Sequence, residues 1–131
     1  MSTPYSHAYS PPTSVLEIAL ALPTESPLYD SVFALVDSGA DGTFVPIEYL
    51  ITLDARPEYQ VRVRGHLSGG SIADVYTVDI VIDSLHLPSI DVIADMENQE
   101  VVLGRNVLNK LVLLMDGPQF SLDILDSGPS I

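Results

Sequence analysis

Cysteine and tryptophan are absent from this chain of 131 residues, and basic side chains are scarce, with 5 Lys and Arg against 18 Asp and Glu. Without cysteine there is no disulfide framework, no thiolate zinc site and no cysteine nucleophile, an absence compatible with any redox compartment. The formal charge of -13 repels phosphate backbones and anionic lipids, so neither nucleic acid nor a membrane is an expected partner. Long hydrophobic runs are missing too. The best of them, "VLEIALAL", contains Glu17 and falls far short of the ~20 residues that span a bilayer. The opening "MSTPYSHAYSPPTS" lacks the basic-then-apolar order of an export signal. A soluble, cytoplasmic protein is expected.

What is present argues for a folded chain. A hydrophobic fraction of 47% outweighs a charge that would otherwise favour disorder, and the length suits one domain with its own core. Residues 1–14, rich in Pro, Ser, Thr and Tyr, read as an extended arm with little core of its own, whose Tyr5 and Tyr9 are free to dock on a partner. Residues 15–125 read as the domain and 126–131 as a tail.

Within the domain, short strands alternate with turn signals. "SVLEIALAL" alternates and is closed by "TESP", and "SVFALV" is nearly all apolar, as expected of a strand buried on both faces. "PIEYLITL" predicts one short helical turn with Pro46 near its start. "YQVRVRGHLSGGSIADVYTVDIVID" predicts a hairpin, with Val78, Ile80 and Ile82 at every second position and the glycines of "GHLSGG" at its tip. "EVVLGRNVLNKLVLLMDGPQFSLDIL" predicts a buried strand, a glycine break, about two helical turns through "NVLNKL", and a hairpin whose last strand alternates Phe120, Leu122 and Ile124. "LVDSG" and "VVLGRN" form a weak internal echo, each running an apolar pair into a glycine-containing break.

The stretch "LVDSGADGTF" sets two aspartates directly after an apolar run. Asp, Ser and Gly are ordinary turn formers, and "DSG" recurs at Asp126, Ser127 and Gly128, so a plain polar turn is one reading. A calcium loop is another, since Asp41, Gly42 and Glu48 fall at the fifth, sixth and twelfth positions counted from Asp37. Against it stand Gly39 at the third position, Pro46 inside the loop, and a β-branched segment where an entering helix is required. The third reading is half of a catalytic carboxylate pair. A Ser-His-Asp arrangement using Ser68 or Ser71 lacks a nucleophile turn such as G-x-S-x-G. His7 and His86 sit in no ligand spacing and receive no role.

"LVDSGADGTFVP", a Gly-tipped hairpin about thirty residues later and then "VVLGRNVLNKL" resemble, in order and spacing, the retropepsin-like aspartic proteases. The likeness covers residues 15–125, and the chain after Leu111 resembles cellular or bacterial members more than compact viral ones. The resemblance implies an all-β fold: a closed β-barrel or sandwich with one or two short helices, half of a bilobal aspartic protease. It implies an aspartic endopeptidase with no metal and no cofactor, acting on an extended peptide. Such enzymes need two carboxylates sharing a proton. One credible catalytic aspartate, Asp37, therefore implies a two-fold homodimer.

By the same resemblance Ser38 and Gly39 support the active-site loop, Ala40 and Asp41 line the substrate groove, and Asp41 pairs with Arg105. A solvated Arg105 at a helix start is the alternative, and Asn106 is a candidate cap for that helix. His66, Leu67, Ser68, Gly69 and Gly70 form the flap, where His66, Leu67 and Ser68 replace a more apolar, glycine-dense tip. His66 either tunes substrate binding with pH or is solvated. A catalytically silent dimeric peptide-binding or assembly module on the same fold is the alternative function.

Overall fold

The computed structural model describes residues 2–27, 31–63 and 70–125. The proposed flap tip, with His66, Leu67, Ser68 and Gly69, and the tail 126–131 lie outside the described residues.

Alternation builds the barrel. In β2 (Val15–Ala21), Leu16, Ile18 and Leu20 are wholly buried while Glu17 is exposed. In β6 (Ser71–Ile82), Val78, Ile80 and Ile82 point into the same core. Each such aliphatic side chain contributes roughly 1.5–3 kcal/mol on leaving water. The other elements are β3 (Val32–Val36), β4 (Thr43–Pro46), α1 (Ile47–Thr52), β5 (Pro57–Val63), β7 (Leu85–Asp95) and β8 (Val101–Leu103). Strands β2, β3, β8, β4, β7 and β6 are neighbours in that order, and β6 pairs back onto β2, closing a barrel. β5 joins the first half of β6 outside the ring.

Two pairings in the ring are parallel, β3 with β8 and β4 with β7. The weak echo of the sequence thereby acquires a place, because Leu35 and Val36 lie in register with Val102 and Leu103. The glycine-containing breaks after both strands emerge side by side.

A second, three-stranded sheet is built from both ends of the described chain. β1 (Ser2–Pro4) pairs with β10 (Ser121–Leu125), which pairs with β9 (Val112–Asp116). The arm is more tied down than its composition suggests: Thr3 and Ser14 are buried, Tyr5 packs on the core, and the Tyr9 hydroxyl bonds Glu100.

Four local expectations are corrected. Strand β3 is not buried on both faces, since Phe33 is 61% exposed. Phe33 lies opposite Glu17, and directly paired residues share a face, which here points outward. The helix after Gly104 is one turn, α2 (Arg105–Leu108), rather than two. Phe120 does not join the final alternation: it sits in the turn at φ +50°, edge-on to Tyr5 and His7, while Leu122 and Ile124 are buried. Asn106 does not cap α2, because Gly104 occupies the cap position and Asn106 lies inside the helix.

β7 has no counterpart among the expected strands. Its buried positions run Leu87, then Ile90, Val92 and Ala94. The phase shifts where Val78 and Ile80 of β6 face Ile90 and Leu87, so a bulge hides the period of two that marks a strand.

Candidate active site

Asp37 is the first residue after β3, and its N–H donates to the Leu103 carbonyl at 3.1 Å. The parallel β3–β8 pair thus ends in a shared junction. From it the chain turns tightly: Ala40 N–H donates to the Asp37 carbonyl at 3.1 Å, and Gly39 N–H donates to Asp37 Oδ1 at 2.9 Å. That last bond orients the carboxylate. A Cβ on Gly39 would lie 3.1 Å from the same oxygen, tight for any side chain.

The junction closes from the β8 side. Arg105 N–H donates to the Ala40 carbonyl at 2.9 Å, and its guanidinium reaches the Ser38 carbonyl at 2.7 Å and the Asp41 carboxylate. Arg105 is thus a brace across the loop rather than a solvated cation. Asp41 is 93% exposed in its side chain, so the ion pair contributes at most about 1 kcal/mol. Ser38 meets Arg105 through its backbone, not its hydroxyl.

Gly104 is required by close approach. A Cβ there would fall 2.1 Å from the Gly42 carbonyl oxygen and 2.9 Å from that of Ala40. The Thr43 hydroxyl accepts from Gly104 N–H at 3.1 Å and donates to Asn106 Oδ1 at 2.8 Å, while Asn106 Nδ2 donates to the Asp91 carbonyl at 2.9 Å. These links join the loop, α2 and β7. Sequence reasoning missed Thr43, whose signal was a hydroxyl at a core position of an apolar strand.

Asp37, Ser38 and Gly39 are exposed in the single chain, so β3 holds the carboxylate in place without drying it. Asp37 and Ala40 line a groove of about 930 Å³ that runs over Phe44, Ile93 and Val102. A second groove of about 770 Å³ takes in Gly39, Ala40 and Asp41 and continues to Tyr59, Asp91 and Asn106. Both grooves run alongside Val63 at the end of β5. Of the flap residues, Gly70 alone is described, at φ +105°.

The calcium reading fails on its flanks. The segment from Asp37 to Glu48 is entered by β3, where such a loop requires a helix, and strand β4 lies within it.

Remote from this junction lies a polar group that the sequence did not reveal. Asp79, 1% exposed, accepts from Thr24 N–H at 3.1 Å and Ser89 N–H at 2.9 Å, and its Oδ2 lies 2.7 Å from His86 Nε2. Thr24 and Ser89 both have positive φ. Burial alone would raise the Asp79 pKa, but the bonds from Ser89, His86 and Thr24 outweigh it and hold the carboxyl below its usual range.

No family model matches the sequence, and no curated protein matches it. Solved structures do match. A retropepsin-like aspartic protease from Rickettsia conorii superposes with a TM-score of 0.67 at 13% identity, covering 95% of this chain and 88% of that one. The EIAV protease complexed with the inhibitor HBY-793 gives 0.56 at 18% identity, over 75% and 86%. The retroviral protease-like domain of Ddi1 from Leishmania major gives 0.51 at 18% identity, over 87% and 90%. The fold is retropepsin-like.

Proposed function

We propose that this protein is an aspartic endopeptidase of the cellular or bacterial retropepsin-like type, active as a homodimer with one Asp37 from each protomer. The observation that carries the reading is the Asp-Ser-Gly-Ala turn at the end of β3, with its carboxylate oriented by Gly39 N–H and lining a groove of about 930 Å³. The retropepsin-like fold supports it. The homodimer supplies the second carboxylate, because an aspartic protease needs two that share one proton.

Two carboxylates about 3 Å apart cannot both ionise readily, so their apparent pKa values separate. The ionised Asp37 takes a proton from water as the water attacks the scissile carbonyl. The protonated Asp37 of the other protomer donates towards the developing oxyanion. Arg105 and Gly39 act on the reaction by positioning the Asp37 loop. The segment around His66 to Gly70 is assigned the flap, closing on the peptide and excluding water.

The test joins solution mass to chemistry. Wild-type protein should sediment as a dimer and cleave members of a diverse peptide library at acid to neutral pH. Asp37→Asn should remain dimeric and cleave nothing. A strict monomer, or a dimer with no cleavage at any pH, overturns the reading; the second result favours a silent peptide-binding module.

A further inference from the structure

The two grooves share Ala40, Phe44, Val63 and Ile93, yet they differ in charge. The one bounded by Asp41 and Asp91 is balanced by cations: Asp41 is met by Arg105, and Arg62 lines the same groove as Asp91. In the groove that holds Asp37, every ionisable side chain among the described residues is a carboxylate: Asp37, Asp74, Asp95 and Glu97. No lysine, arginine or histidine among them lines it.

Strand register explains the place of Asp95, while Asp74 lies on β6 opposite Gln60, whose amide donates to it at 3.1 Å. Alternate residues of β7 share a face, so Asp95 stands two positions beyond Ile93, which pairs with Phe44 of β4. Phe44 in turn pairs with Val102. The groove therefore has an apolar floor next to Asp37 and an acidic end about 7 Å beyond Ile93, the rise of two strand residues.

We propose that this groove selects its peptide by a lysine or arginine side chain, laid along Phe44, Ile93 and Val102 with its cationic head against Asp74, Asp95 and Glu97. The fit is one of chemistry and length: the methylene stem covers apolar surface while the head reaches the carboxylates. A neutral side chain leaves those carboxylates without a cation, and an acidic one is repelled. Under a two-fold axis beside Asp37 the acidic end occurs once on each side of the scissile bond, so the preference extends to both sides.

Asp95 is suited to this at acid pH. Burial would raise its pKa, but the N–H groups of Asn98 and Glu97 and the Asn98 amide outweigh burial and keep the carboxyl below its usual range.

The proposal rests on reading the Asp37 groove as the peptide site, and binding is therefore measured apart from cleavage. Full-length Asp37→Asn is titrated against short fluorescein-labelled peptides that carry Lys, Gln or Glu at one scanned position, with anisotropy as the readout. At its best position Lys should bind about tenfold more tightly than Gln, and Glu more weakly than Gln. Asp74→Asn with Glu97→Gln should bring the Lys-to-Gln ratio down to about twofold, and Glu97→Gln alone should lower it part of the way. Glu17→Gln with Glu25→Gln, outside the groove, should leave it unchanged.

A ratio near one in the parent, a ratio that survives the groove variants, or an equal fall in the control pair overturns the proposal; the last outcome marks general attraction to an acidic protein. The same peptides given to wild type separate the two readings. Cleavage without a Lys preference sinks this inference alone, whereas Lys-selective binding without cleavage sinks the protease.

Discussion

At the scale of the residue, two positions matter more than their type suggests. A Cβ on Gly104 would collide with backbone, not with a yielding side chain. Gly104→Ala should therefore cost about 3 kcal/mol, read from urea unfolding, and should displace the Asp37 loop. Asp79 is the other, a buried carboxylate whose three donors come from the turn after β2, through Thr24, and from β7, through His86 and Ser89. Its native pKa is depressed, so its contribution to stability is present above about pH 4 and is lost as pH falls through the native pKa. Thermal melts between about pH 5 and 2 should show wild type losing stability more steeply than Asp79→Asn. Parallel curves would contradict that linkage.

At the scale of the element, the site is a meeting of strand ends. β3 and β8 run parallel and stop together, which brings Asp37 and Arg105 into one junction from positions far apart in the chain. Thr43 at the start of β4 locks that junction by receiving Gly104 N–H and donating to Asn106. Thr43→Val keeps the shape and removes the hydroxyl, leaving a buried N–H without a partner. It should cost about 1–3 kcal/mol in unfolding free energy. It should also lower kcat more than it alters KM, since the loop that holds Asp37 loosens while the groove floor remains.

At the scale of the whole molecule, charge and symmetry act together. In the proposed homodimer two protomers at -13 each would carry a formal -26, which acid would relieve while keeping the proposed aspartate dyad singly protonated. Peptide cleavage should therefore rise as pH falls from about 8 towards 5, before loss of the Asp79 interactions weakens the barrel. A rate that is highest above about pH 8 would contradict the dyad mechanism. Among the described residues no helix is long and apolar enough to cross a membrane.

Much of this was legible in the residues. The alternation in β2 and β6, the short helix after Pro46 and the turn after β3 follow from local periodicity and turn chemistry, which act over a few neighbouring residues. Other features escaped because their causes are not local. The bulge in β7 breaks the period of two, β1 is held by a strand from the far end of the chain, and Phe33 faces outward because of its partner in β2. The charge of Asp79 is stabilised by donors from two segments far apart in the chain, the turn after β2 and β7, and the acidic end of the Asp37 groove is assembled from β6, β7 and the loop beyond it. Sequence alone determined which side chains are available for the proposed chemistry and which runs can be strands. Tertiary structure alone decided which of them meet, because pairing between strands distant in the chain sets every contact at the site.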